Sequence, residues 1–145
     1  MEKRTTTSGK ILPHTECKIM ETVYDDEEGN LVVRDDAKIV PMGTHGEVWV
    51  RGYLNMLGYW NNPKKTAETV TPDGWNKSGD LGFLDEEGYV TITGRIKDMI
   101  IRGGENIYPG EIENALRLHP NILDVSIIGQ PEERLGEEVR AVIIL

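Results

Sequence analysis

Along the first two thirds of the chain, apolar residues come in short runs separated by acidic, glycine-rich or proline-containing breaks, the pattern of strands and tight turns. Ile11-Leu12 and Cys17-Lys18-Ile19 read as strands interrupted at Pro13. Asp25 to Asn30, acidic and glycine-containing, reads as a turn before the strand Leu31-Val32-Val33. Val48 and Val50 alternate with Glu47, Trp49 and Arg51, which predicts a half-buried strand. Asn62-Pro63 opens a short helix through about Val70, because Asn caps well and Pro suits the first helical position. A hairpin is predicted where Gly82-Phe83-Leu84 and Tyr89 to Thr93 flank the turn Asp85-Glu86-Glu87-Gly88.

The character changes at Gly94. Met99-Ile100-Ile101 reads as a short strand ending at Gly103-Gly104, and Pro109 starts the clearest helix of the chain. Glu111 and Glu113 stand in its first turns, where the helix dipole favours negative charge; Ile112, Ala115 and Leu116 share one face, and His119-Pro120 ends it. Strands at Val125 to Ile128 and Val139 to Leu145, joined by a polar turn through Gly136, complete a strand-turn-helix-strand-strand order. The longest apolar run, Val142-Ile143-Ile144-Leu145, suits a buried strand. It runs to the last residue with no capping turn, which gives the expectation that the chain is part of a longer one.

Composition narrows the classes. The 145 residues are 38% hydrophobic and 28% charged, a globular balance, and no run approaches the ~20 apolar residues of a membrane helix. A net charge of −9 argues against nucleic acid or an anionic membrane as partner, since both reward basic patches. Cys17 is the sole cysteine, so no internal disulfide forms, an intracellular compartment is expected, and Cys17 itself reads as a small core or half-buried residue. Met1 to Ser8 is polar and lacks the apolar stretch of a signal peptide. His14, His45 and His119 have no metal-ligand spacing with Cys17 or one another, and no metal is assigned.

Two segments carry the chemistry: Gly74-Trp75-Asn76-Lys77-Ser78-Gly79-Asp80-Leu81-Gly82, and the run from Gly94-Arg95-Ile96-Lys97-Asp98 through Arg102-Gly103-Gly104-Glu105-Asn106-Ile107-Tyr108-Pro109 to Glu113. Taken singly, Ser78-Gly79-Asp80 reads as a turn in which Asp80 caps amides. Residues 95–98 then form a surface charge cluster, and Gly103-Gly104 a turn needing positive φ. Taken together and in this order, they resemble the adenylate-forming superfamily of acyl-CoA synthetases, peptide-synthetase adenylation domains and luciferases. Gly46 to Gly52, Met56-Leu57-Gly58-Tyr59-Trp60, Pro63 with Thr66, Val125 to Pro131, and Gly136-Glu137 extend the resemblance over nearly the whole chain. The run Gly103 to Pro109 looks like the acyl-CoA synthetase version, and Thr5-Thr6-Thr7 with Pro13-His14-Thr15-Glu16 resembles its medium-chain fatty acyl branch.

The resemblance implies an α+β chain: residues 1–96 as the β-rich last subdomain of a large adenylating domain, residues 97–145 as the first half of a mobile C-terminal domain. It implies an ATP-dependent ligase that converts a carboxylic acid, a fatty acid on this reading, into an acyl-adenylate and then a coenzyme A thioester. Asp80 and Arg95 would bind the nucleotide ribose, Lys97 would be the hinge, and Gly103 and Gly104 would line the coenzyme A arm. ATP, Mg²⁺ and coenzyme A are the expected cofactors, and the remaining parts of the same enzyme the expected partners. The location implied is cytoplasmic or mitochondrial. The family's phosphate loop, its adenine and magnesium motif and its catalytic lysine are absent, so no catalytic residue is assigned and the chain alone is expected to be inactive. Ser8-Gly9-Lys10 imitates the lysine motif but stands at the opposite end of the chain; Lys10 reads as a surface lysine. The rival readings are a non-catalytic binding module that kept the fold, and an adenylation domain serving a carrier protein.

Overall fold

The computed structural model describes residues 7–24, 31–34 and 36–145; the expected turn at 25–30 and the residues Thr5 and Thr6 lie outside them. The chain divides into two compact units, Met1–Ile92 and Thr93–Leu145.

In the first unit, β1 (Gly9–Lys10), β2 (Thr15–Met20), β5 (Gly46–Gly52), β6 (Asn76–Leu84) and β7 (Tyr89–Arg95, running past the division) form a five-stranded sheet in the order β1-β7-β6-β5-β2. A ribbon of β3 (Val23–Tyr24) and β4 (Leu31–Val32) pairs beside it. The expected strand at Ile11-Leu12 is displaced two residues earlier, where Gly9 and Lys10 pair with Val90 and Tyr89. This also moves Lys10 into the first strand, with its side chain exposed and its Nζ 6.0 Å from the Tyr89 ring.

β5 departs from the half-buried pattern. Gly46, Glu47, Val48 and Trp49 are all buried, so both faces of β5 are covered along this stretch, while β2 and β6 occupy its two edges. Met20, Trp49 and Trp75 form one core cluster with Val33 and Ala37 packed against it, while Ile19, Val48 and Leu81 are also buried. Burying a side chain of Leu81's size is worth about 1.5–3 kcal/mol, so strands this short hold chiefly through such contacts. Helix α1 (Pro63–Thr69) begins where expected, with Asn62 Oδ1 accepting from the Lys65 N–H at 3.0 Å. The hairpin turn is set by Asp85, whose Oδ1 accepts from the N–H groups of Glu87 and Tyr89, both at 2.9 Å.

The second unit opens with a single 3₁₀ turn (Ile96–Asp98). β8 (Ile100–Arg102) and β9 (Glu105–Ile107) make a hairpin, helix α2 (Pro109–Leu116) follows, and β10 (Asp124–Glu132) and β11 (Gly136–Ile144) close a sheet ordered β10-β11-β8-β9. β9 was not legible in the sequence, since Glu105-Asn106-Ile107 is short, shows no alternation and has one β-branched residue beside two strand-poor ones; pairing with Ile100 to Arg102 makes it a strand. The turn expected through Gly136 is shorter, because Glu132 and Gly136 already pair. Ile100, Val125 and Ile127 are the core, covered by Ile107, Ile112, Leu116, Ile122 and Val139. The closing apolar run is not buried: Val142, Ile143 and Ile144 are 51%, 43% and 56% exposed. β11 pairs with β8 only at Gly136, so its far end lies outside the packed middle of the sheet.

Candidate nucleotide-binding bulge and glycine turn

The Ser78-Gly79-Asp80 segment is a bulge in the middle of β6. Glu47 pairs with Leu81 and Trp49 with Lys77, so Val48 alone stands opposite Ser78, Gly79 and Asp80. Gly79 turns the chain at φ +74°, and a Cβ there would meet nothing within 4 Å; glycine serves conformation at this position, not space. The Asp80 N–H donates to Ser78 Oγ at 3.0 Å, closing the turn on itself.

Glu47 holds this bulge from the neighbouring strand. The residue is only 4% exposed, and its carboxylate accepts from the Gly79 N–H at 2.9 Å through Oε1 and from Trp49 Nε1 at 2.6 Å through Oε2. A buried charge is tolerated only when its acceptor sites are occupied, and here one oxygen faces the bulge and the other an indole. Sequence reading gave Glu47 no role. Its signals were a place in the Gly46 to Gly52 run of the resemblance and a lone carboxylate in the predicted strand, and the bulge that gives it meaning is visible only once β5 and β6 are paired.

Cations flank the bulge on the indole surface. Lys18 Nζ lies 4.8 Å from the Trp49 ring and 4.2 Å from Trp75, Lys77 Nζ lies 5.3 Å from Trp49, and the Arg51 guanidinium lies 4.6 Å from Trp75. Each such contact is worth about 0.5–1 kcal/mol at exposed sites. Arg51 also grips Glu16 with both ends of its fork, at 2.8 and 2.6 Å, and that hydrogen bond holds the Glu16 carboxyl below its ordinary pKa. Asp73 is likewise lowered, first by the Thr71 hydroxyl that donates to it at 2.7 Å.

The other expected site residues belong to the second unit. Arg95 ends β7 and is exposed; Lys97 is exposed in the middle of the 3₁₀ turn. Gly103 and Gly104 form the β8–β9 turn at φ +61° and +84°, both exposed, and a Cβ on Gly104 would meet nothing within 4 Å. The Gly103 N–H donates to the Leu135 carbonyl at 2.8 Å. Leu135 is fixed in turn by Glu132, whose carboxylate accepts from the N–H groups of Arg134 at 3.1 Å and Leu135 at 2.8 Å. Glu137 reaches across to accept from the Ile101 N–H at 2.6 Å. The structure therefore brings Asp80 together with Glu47, and the glycine turn together with Leu135, each inside its own unit.

Burial raises the pKa of the half-buried Cys17 thiol, which keeps it protonated and poorly nucleophilic. His45 stacks against Phe83 at 5.0 Å between ring centres, and His119 Nδ1 accepts from the Asn121 N–H at 3.3 Å. Among the described residues no group of three or more His, Cys, Asp or Glu could hold a metal ion. No helix among them is long and apolar enough to cross a membrane.

No family model matches the chain. Curated relatives match it throughout. The medium-chain acyl-CoA ligase ACSF2, mitochondrial, of Danio rerio is 47% identical over 144 residues, which are 99% of this chain and 22% of that protein. Acyl-CoA ligase sidI of Aspergillus fumigatus is 48% identical over 149 residues, 100% of this chain and 23% of that protein. The chain thus spans less than a quarter of the length of these relatives. Among solved structures, the amide bond synthetase McbA from Marinactinospora thermotolerans superposes with a TM-score of 0.81 at 34% identity, over 99% of this chain and 26% of that one. ATP-bound MatB from Rhodopseudomonas palustris gives 0.78 at 38% identity, over 95% of this chain and 25% of that one.

Proposed function

We propose that this chain, homologous over its whole length to acyl-CoA ligases and matching the β-rich C-terminal part of adenylate-forming enzymes, is the ribose-binding and hinge stretch of an ATP-dependent fatty acid–CoA ligase. The observation that carries the reading is the β6 bulge, which presents Asp80 from a sheet core on a turn held by a buried carboxylate. Residues 1–96 then close the large adenylating domain, residues 97–145 begin the small mobile domain, and Lys97 is the pivot.

On this reading the enzyme works in two steps. A fatty acid carboxylate oxygen attacks the α-phosphorus of ATP, and the bond to pyrophosphate breaks. The coenzyme A thiolate then attacks the acyl carbon, the acyl–oxygen bond breaks, and AMP leaves. Asp80 accepts hydrogen bonds from both ribose hydroxyls, since an ionised carboxylate has acceptor sites for two at once. Arg95 supports the ribose from the end of β7 with its rigid fork. Gly103 and Gly104 leave the pantetheine arm a path without Cβ atoms, and the open space at Gly104 suits such an approach. Mg²⁺, when bound, supplies charge neutralisation at the phosphates through residues outside this chain. The proposed location is intracellular, in cytoplasm or mitochondria; the ACSF2 relatives are named as mitochondrial.

The test is Asp80→Ala in the full-length enzyme that carries this chain. Loss of one effective bond to a charged acceptor, about 1.5–3 kcal/mol, weakens ATP use roughly tenfold to a hundredfold. Pyrophosphate exchange at varied ATP measures it, and a change within about twofold would reduce Asp80 to a turn residue. The chain alone, given ATP, magnesium, coenzyme A and fatty acids from C4 to C12, forms no thioester. Formation above background would overturn that part of the reading.

A further inference from the structure

We propose that Glu47 is a positioning residue for nucleotide binding: from β5 it clamps the Gly79 amide and so sets where Asp80 stands. The proposal rests on the reading of Asp80 as the ribose carboxylate, and adds a residue that does not touch the nucleotide.

The argument begins with the bulge. Three residues facing one leave the ladder of β6 broken between Lys77 and Leu81, so the backbone amide of Gly79 has no strand partner by register. Glu47 Oε1 satisfies it at 2.9 Å. The same carboxylate cannot drift, because Oε2 is held by the Trp49 indole at 2.6 Å and Trp49 is itself locked in the core with Met20 and Trp75. Asp80 directly follows the clamped residue. A rotation at Gly79, which carries no Cβ to resist it, would swing the Asp80 carboxylate away from its proposed ligand. The chain from core to site therefore runs Trp49, Glu47, Gly79, Asp80, and each link but the last is a hydrogen bond of known length.

A simpler role is available: Glu47 could satisfy a buried amide for stability alone. The two roles differ in what they do to ligand discrimination. A positioning role acts only on ligands that carry the ribose hydroxyls. A purely structural role acts on every nucleotide alike, or on folding.

The experiment compares ATP with 2′,3′-dideoxy-ATP in the pyrophosphate exchange of the full-length enzyme, for wild type, Glu47→Gln, Trp49→Phe, Asp80→Ala and the double variant Glu47→Gln/Asp80→Ala. Glutamine has one carbonyl oxygen to share between two donors and no charge. The expected result is a rise of roughly three- to tenfold in the KM for ATP with Glu47→Gln, and no change for the dideoxy nucleotide. Trp49→Phe, which frees one side of the clamp and keeps the other, shows a smaller shift of the same kind. The double variant is no worse than Asp80→Ala alone, the non-additivity expected of two residues acting through one interaction. If Glu47→Gln fails to fold, Trp49→Phe carries the test by itself.

Equal losses for both nucleotides, or additive losses in the double variant, would overturn the positioning role. So would unchanged discrimination in folded Glu47→Gln or Trp49→Phe while Asp80→Ala abolishes it, and in that case the ribose reading of Asp80 would stand. Unchanged discrimination in Asp80→Ala would remove the ribose reading itself, and this inference with it.

Discussion

Each unit carries a candidate site feature built on glycine at positive φ, and the two are fastened differently. In the first unit Gly79 is clamped by a buried carboxylate that is itself pinned by an indole. In the second, the exposed Gly103-Gly104 turn is tied by one backbone bond to Leu135, whose loop Glu132 caps near the surface. A hydrogen bond to a charged group contributes about 1.5–3 kcal/mol, against 0.5–1.5 for a neutral one, and burial keeps water from replacing it. The lesson is that glycine gives the same local freedom in both places, and the neighbouring strand decides how much of it is withdrawn. On the proposed reading, a ribose contact is served by a fixed carboxylate, and an arm that threads past a turn by open space.

The largest expected effect tests whether the two units are independent in stability. Leu81→Ala and Ile100→Ala each remove a side chain only 1% exposed, and each costs about 2–5 kcal/mol. Amide hydrogen exchange on the chain is expected to show Leu81→Ala loosening β5 and β6, and Ile100→Ala loosening β8, β10 and α2, with little crossover. Equal loosening of both units by either variant would erase the comparison.

Next comes Lys97, the proposed hinge. Lys97→Pro fixes φ near −65° and restricts Ile96 before it, so the torsion that changes between two poses on that reading is frozen. In the full-length enzyme thioester formation falls roughly a hundredfold, on the scale of misplacing reacting groups by an ångström, while adenylation survives better. Pyrophosphate exchange and single-turnover transfer from preformed adenylate report the two steps separately. Equal loss of both in a folded variant would refute the hinge.

A smaller effect compares the glycines directly. Neither Gly79 nor Gly104 would bring a Cβ within 4 Å of another group. Gly79→Ala and Gly104→Ala therefore cost only the left-handed backbone penalty, about 1–2 kcal/mol each. Urea denaturation measures both. A clearly larger loss at Gly79 would mean that the Glu47 clamp transmits strain which the open turn releases.

The smallest effect lies at the Glu16–Arg51 pair. The folded-state pKa of Glu16 is lowered, so its contribution is present above the ordinary carboxylate value and is lost as pH falls through the lowered value. Glu16→Gln is expected to lower the melting temperature slightly near neutral pH, with the difference vanishing below the carboxylate range. A difference that persists in acid would assign the effect to packing instead of charge.

The sequence by itself determined the features with local causes. Asn62-Pro63 and Pro109 start the two helices because capping and a fixed φ act within a turn, and Asp85 with Gly88 sets its hairpin for the same reason. The motif residues Asp80 and Gly103-Gly104 were also legible, as turn chemistry whose order along the chain points to a family. Tertiary structure alone decided the rest. The β6 bulge exists only relative to β5, since a strand has no extra residues until a partner counts them. Glu47 and Trp49 became buried because Met20 and Trp75 pack on Trp49 and its indole covers one Glu47 oxygen, contacts that alternation along one strand cannot reveal. Glu105 to Ile107 became a strand because β8 offered it an edge, and Val142 to Ile144 stayed exposed because pairing with β8 stops at Gly136. Propensity and capping act over a few residues, whereas register and burial belong to pairs of segments, and only the fold brings those together.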